Sequence, residues 1–266
     1  MLEEAKLLAS NGVKEIILVA QDTTRYGIDL YGKKMLSSLL KELSLIEGIQ
    51  WIRVLYCYPE EITEDLIDEI ASNNKVCNYL DIPIQHISNN ILKKMGRKTT
   101  KESILKTIEY LRKRIPDITL RTSLIVGFPG ETKEDFEELE DFLNVYKLDN
   151  VGVFCYSQEE GTPAAIMKDQ IEEETKSVRE KELMKIQQKI SKYMNADKVG
   201  RVLDTLIESE NDKYYIGRTQ HMAPEIDGLV YIIKNDDILQ KGDIVPVSIT
   251  ESLEYDLIGV VKHEFS

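Results

Sequence analysis

Five short and almost continuously apolar runs, separated by stretches of helical period, constrain this chain more than any other feature. They are Ile16–Ala20, Trp51–Cys57, Tyr79–Ile84, Ile118–Val126 and Val151–Tyr156. Strands with little polar alternation belong to parallel sheets, because each crossover connection covers the sheet with a helix. Amphipathic segments supply those connections at Glu3–Asn11, Met35–Leu45, Glu64–Ala71 behind a Thr63 cap, and Lys101–Arg114 ahead of Pro116. Glu134–Val145 and a long charged helix over Glu172–Met194 complete the series. Eight such units close a (β/α) barrel, whereas five or six make an open, partial one. The chain opens on a helix, so a strand is expected to precede it in an intact barrel.

After Lys198 the texture changes. Val202–Ile207, Tyr214–Arg218, Leu229–Ile232, Asp243–Glu251 and Tyr255–Val261 are short alternating segments, divided at Asn211-Asp212, Asp227-Gly228 and Lys241-Gly242. Turn residues at this spacing predict a small all-β barrel of OB-like size. The fold class is therefore α/β: a partial parallel β/α barrel over residues 1–196, then a β-barrel over 197–266.

Chemistry in parallel α/β folds gathers at the C-terminal ends of the strands. Read in order, those ends offer Gln21-Asp22-Thr23-Thr24, Tyr58-Pro59, Gln85-His86, Arg121 and Ser123 with the Gly127–Glu131 turn, and Tyr156-Ser157-Gln158. In Arg121-Thr-Ser-Leu-Ile-Val-Gly-Phe-Pro-Gly-Glu-Thr132 a strand runs into a glycine turn, and Thr132 with Asp135 forms a capping box for the next helix. Such a turn is either an ordinary βα connection or a cofactor cradle at a helix N-terminus. His86 reads as a structural hydrogen-bonder or an acid–base group. Asp22-Thr23-Thr24 serves equally as a turn or a substrate reader, and Arg97 as a surface charge or an anion ligand. No Walker A loop, nucleophile elbow or G-x-G-x-x-G is present.

Composition narrows the classes further. The net charge of −13 argues against broad nucleic-acid affinity, which phosphate neutralisation by a basic face supplies. Cys57, Cys77 and Cys155 are too scattered for a metal-ligand motif and predict buried, reduced thiols. No apolar run reaches the ~20 residues of a membrane span, and a cytoplasmic location is expected.

Leu80-Asp-Ile-Pro-Ile-Gln-His86, Ile91-Leu-Lys-Lys-Met-Gly-Arg97 and the Arg121–Thr132 segment, in that order, resemble the radical S-adenosylmethionine (SAM) methylthiotransferases. Gly217-Arg218, Ala223-Pro-Glu-Ile-Asp-Gly228 and Glu254-Tyr-Asp256 resemble the TRAM domain that ends those enzymes. Val19-Ala-Gln-Asp-Thr-Thr-Arg-Tyr-Gly27 is similar to the RimO-type branch, which modifies an aspartate of the small-subunit ribosomal protein at the decoding centre. The charge agrees: residues 197–266 hold 14 acids against 7 Lys and Arg, a net of −7, suited to a basic ribosomal protein rather than to tRNA phosphates.

The resemblance implies that Gln85 and Ser123 bind the SAM ribose and Arg97 its carboxylate. Gly127, Pro129, Gly130 and Tyr156 would line the adenine. Gln21, Asp22, Thr23 and Arg121 are assigned to the substrate, and no side chain here to a general-base role. It also implies two [4Fe–4S] clusters, a radical at the aspartate β-carbon, sulfur insertion and methyl transfer. The cysteine sets for those clusters are absent from this sequence. The expectation is a C-terminal part of a longer enzyme, monomeric and inactive alone. Two other readings stay open: a tRNA methylthiotransferase of the MiaB type, and a non-catalytic partner-binding barrel.

Overall fold

The computed structural model describes residues 1–263. Its first part runs α1 (Leu2–Ser10), β1 (Glu15–Leu18), α2 (Ile28–Tyr31), α3 (Leu36–Ser44), β2 (Trp51–Val54), α4 (Glu64–Ser72) and β3 (Val76–Asp81). It continues through α5 (Asn89–Lys94), α6 (Lys101–Arg114), β4 (Thr119–Val126), α7 (Lys133–Tyr146), β5 (Asn150–Cys155) and α8 (Glu173–Ala196). The five strands are all parallel and lie in sequence order, β1-β2-β3-β4-β5. Strands added one after another through right-handed crossovers put every helix on the same face. That face carries the main core, where Ile16, Ile52, Val54, Leu80, Leu120, Leu124, Val126, Val151 and Val153 meet the helices.

The opposite, inner face carries the half-buried residues of β4. Period-2 alternation points Arg121, Ser123 and Ile125 of β4 inward, all half-buried, while Leu120, Thr122, Leu124 and Val126 are buried towards the helices. Burying the helix face of β4 therefore sets its register and puts three residues of one strand in a line along the inner wall.

The second part contains β6 (Val202–Glu210), β7 (Tyr214–Thr219), β8 (Val230–Ile233), β9 (Ile244–Ser252) and β10 (Leu257–Val261). They close a barrel in the order β10-β8-β7-β6-β9 around Ile207, Val230, Ile232, Val247, Ile249 and Leu257. At Gly228 a Cβ would sit 1.9 Å from the Tyr255 carbonyl oxygen, so only glycine lets these two loops touch.

The β-barrel does not hang free. Leu206 and Ala223 pack on Trp51, Leu55, Cys77 and Tyr79, which are inner-face or strand-end residues of the sheet. Through the same contact runs an ion network: Glu15 on β1 takes Arg53 Nε at 2.7 Å and Arg218 Nη2 at 2.6 Å, and Arg218 also reaches Glu208 at 2.7 Å. Arg53 donates onward to the Gln220 carbonyl and lies 4.7 Å from the Tyr79 ring centroid. Both guanidinium groups are buried, the condition under which losing one partner is most costly.

Two local expectations need correction. Thr63 occupies the N-cap of α4 but makes no side-chain cap bond; Ser37 instead donates to Asp65 in the first turn of that helix. Of the three thiols expected to be buried, Cys57 and Cys77 are. Burial holds the Cys57 thiol well above its usual pKa and pushes Cys77 up to about 12. Cys155 is only half-buried, 3.6 Å from Glu180 Oε2. The capping box at the start of α7 forms as the spacing requires, with Thr132 and Asp135 bonding reciprocally.

Candidate functional site

Beyond Asp81 the chain stays extended and bonds to β4, ending at Gln85, whose backbone N–H donates to Ser123 O and whose carbonyl accepts from Ile125. Gln85 has φ of 69°. A left-handed backbone costs a non-glycine residue about 1–2 kcal/mol, so the surrounding strand bonds over-determine this conformation. The result places Gln85 beside Ser123, both half-buried, and neither side chain is engaged by another described protein group. One amide and one hydroxyl, adjacent and unspent, match a vicinal diol.

The Gly127–Gly130 turn stands at the end of the same strand. Glu131, fully buried, accepts from Gly127 N–H at 2.8 Å and from Arg179 of α8 at 2.5 Å. His86 Nδ1 accepts from Ser88 N–H, and its Nε2 faces Glu131 at 3.4 Å. His86 is thus a buried hydrogen-bonder of its own segment, with Nε2 facing Glu131 but making no hydrogen bond. The sequence reading assigned no role to Glu131; its place four residues after Gly127 was the available signal. Glycine at 127 serves the chain itself: φ is 71°, and a Cβ would lie 2.3 Å from Lys176 Cγ. That outer side of the turn is covered by protein rather than open to a ligand. Likewise Gly130 donates to Asp169 O and its carbonyl takes Lys94, while Pro129 between them is buried.

Tyr156 follows β5, with its N–H on Val126 O and its ring edge-on to Phe128 at 5.2 Å. Its hydroxyl is buried without a partner, an unmet polar group beside the turn. Arg97 is less free than expected. One Nη donates to Pro83 O at 2.6 Å and the guanidinium lies 4.4 Å over the Tyr58 ring, but buried Nε has no partner.

The four residues assigned to substrate separate into two groups. Asp22 accepts from the Thr24 backbone and hydroxyl, and Thr23 Oγ1 donates to Leu55 O at 2.6 Å; both shape the turn after β1. Gln21 alone of that segment is exposed. Arg121 does not stand at a strand end. It lies within β4, opposite Asp81, to which it donates at 2.7 Å, and 3.9 Å from Asp227 of the barrel. Burial works against its charge, yet Asp81 and the hydrogen bond outweigh that and raise its pKa.

The described residues contain no group of three or more His, Cys, Asp or Glu able to hold a metal ion. These described residues therefore offer no ligand set for an iron–sulfur cluster.

Comparison with known proteins gives the family. The model of the Radical SAM superfamily matches residues 1–143. The chain belongs to that superfamily. Residues 199–261 match the TRAM domain. Ribosomal protein uS12 methylthiotransferase RimO of Clostridium perfringens strain ATCC 13124 is 62% identical over 264 residues, 99% of this chain and 59% of that protein. The proteins of the same name from Clostridium tetani and from Clostridium botulinum strain Langeland are each 58% identical, over 99% and 100% of the chain. This chain thus spans about 59–60% of the curated relatives it matches. Coproporphyrinogen III oxidase (HemN) from Escherichia coli, a radical SAM enzyme, shares the fold at 18% identity and a TM-score of 0.56, over 71% of this chain and 45% of that one.

Proposed function

We propose that this chain is the SAM-binding barrel portion and the TRAM domain of a radical-SAM methylthiotransferase that modifies an aspartate β-carbon of ribosomal protein uS12. The observation that carries the reading is the 62% identity to RimO across nearly the whole chain. Gln85 and Ser123 would hold the ribose and the free edge of Arg97 the carboxylate. The Gly127–Gly130 turn and Tyr156 would enclose the adenine. Bound SAM supplies radical and methyl chemistry, which the protein serves by positioning. Two [4Fe–4S] clusters belong to this proposal for the whole enzyme, their ligands lying outside the residues present. Gln21 and Arg121 stay in the substrate region, while Asp22 and Thr23 support it from behind.

The partner follows from charge. An acidic surface on the β-barrel complements a basic ribosomal protein and repels tRNA phosphates. Capture of recombinant uS12 by this chain, set beside bulk tRNA over a salt series, tests the reading. Salt-sensitive retention of uS12 with no tRNA is the expected result. Retention of tRNA with a steep salt slope would move the assignment to the nucleic-acid branch.

A further inference from the structure

A cleft of about 440 Å³ opens between β5, α8 and the β-barrel loops around Asp227 and Asp256. Arg121 lies at its wall, two residues along β4 from Ser123 and so about 7 Å from it at strand rise. Arg121 thus puts the cleft one inward-facing position along β4 from Ser123 of the candidate SAM site.

Its polar groups have an uneven balance. Gln187 of α8 lines the cleft at 1% exposure, and its Nε2 is fixed by Leu148 O, Asp149 O and Ser191 Oγ. The amide cannot turn over, so Oε1 is presented as an acceptor, and it has no partner. Two carboxylates, Asp227 and Asp256, share the lining, and the one cation, Arg121, is already held by Asp81 and Asp227. Phe154, 53% exposed, supplies an aromatic face where nothing in the fold requires one. Asp227 already takes the Tyr79 hydroxyl, the Ala223 N–H and Arg121, so the unmet acceptor, the Asp256 carboxylate and an open aromatic surface together suit a cation on an aliphatic stem. An anion would have to sit against the Asp227 and Asp256 carboxylates, which outnumber Arg121 in the lining.

We infer that this cleft is a subsite for a lysine or arginine side chain of the protein substrate, next to the residue that is modified. The inference rests on the proposed protein substrate but makes a separate claim about chemistry. The cation seats between Gln187 Oε1 and Asp256, its stem lies along Phe154, and it fixes which aspartate enters.

Two measurements on this chain separate the claims. In an NMR titration, N-acetyl-lysine methylamide and N-acetyl-arginine methylamide should shift the Gln187 side-chain amide and the Gly152 and Gly228 backbone amides. N-acetyl-norleucine methylamide, of like length without charge, should move them at least five-fold less. Asp256→Asn, which keeps the acceptor for Leu229 N–H, should remove the difference. Equal shifts from the neutral probe, or cation shifts centred elsewhere, would overturn the inference. The second measurement is uS12 affinity: Asp256→Asn and Phe154→Ala should each weaken it about ten-fold, and Leu45→Ala on the far surface should leave it unchanged. Undiminished uS12 binding by both cleft variants would refute the subsite while the substrate assignment stood. Cation probes that bind in the cleft with no uS12 binding would refute the substrate assignment and leave a cation site.

Discussion

The Glu15 carboxylate on the first strand of the sheet accepts a 2.6 Å hydrogen bond from Arg218 in the β-barrel, 203 residues away. Its other oxygen holds Arg53 at 2.7 Å, so one side chain neutralises two buried guanidinium groups, one from each part of the chain. Removing it leaves buried Arg53 without a carboxylate and Arg218 with Glu208 alone, a loss of about 3–5 kcal/mol by the usual cost of breaking a buried pair. Glu15→Ala should therefore unfold at much lower urea in a single shifted transition, whereas Glu208→Ala, whose carboxylate is partly exposed, should shift it little. Equal effects of the two changes would mean that the network is not centred on Glu15.

His221 makes stability depend on acid. Burial, with Lys198 nearby, lowers its pKa from 6.5 to about 4, and its Nδ1 lies 3.1 Å from Thr119 Oγ1 across the contact between barrel and sheet. The unfolded chain then binds the proton more readily than the folded one, so stability falls as pH drops from about 6.5 to 4. The full loss is roughly 3 kcal/mol from one group at 1.36 kcal/mol per pKa unit. Urea midpoints at pH 7 and pH 5 should differ for the native chain, and the part due to this histidine should vanish in His221→Gln.

Gln85 offers a way to separate ligand binding from folding. Its left-handed backbone suits glycine, so Gln85→Gly should relieve about 1 kcal/mol of strain and lose a similar amount to chain entropy. Thermal stability should stay within about 0.5 kcal/mol. SAM affinity of the cluster-loaded whole enzyme should nonetheless fall about 5–10-fold, as for one lost hydrogen bond, and Ser123→Ala should match it. A large stability loss with unchanged affinity would make both residues architectural.

Tyr156 gives a change of opposite sign. Its buried hydroxyl lacks a partner, and deleting an unsatisfied group removes its desolvation penalty of about 1–3 kcal/mol. Tyr156→Phe should thus raise the thermal midpoint of the ligand-free chain. If the hydroxyl meets the adenine, the same variant should bind SAM more weakly; higher stability with unaltered binding would remove Tyr156 from the site.

Much of this protein was written in local pattern. Apolar runs bounded by glycine, proline and capping residues fixed five parallel strands, the α7 capping box and the shift to a closed five-stranded barrel. Such features depend on neighbours within one turn or one strand, which periodicity reports directly. The motifs also singled out Gln85, Ser123 and the Gly127 turn, since they lie on or just after β4 and the segment bonded beside it. What no local pattern could reveal is which polar residues are spent inside the protein. Thr23 on Leu55 O, Arg97 on Pro83 O, Arg121 on Asp81 and Glu15 on Arg218 are bonds between segments far apart in sequence. Only the folded chain brings those partners within hydrogen-bond distance, and burial then makes each bond obligatory, because an unpaired charge or donor in the interior costs more than the bond itself returns.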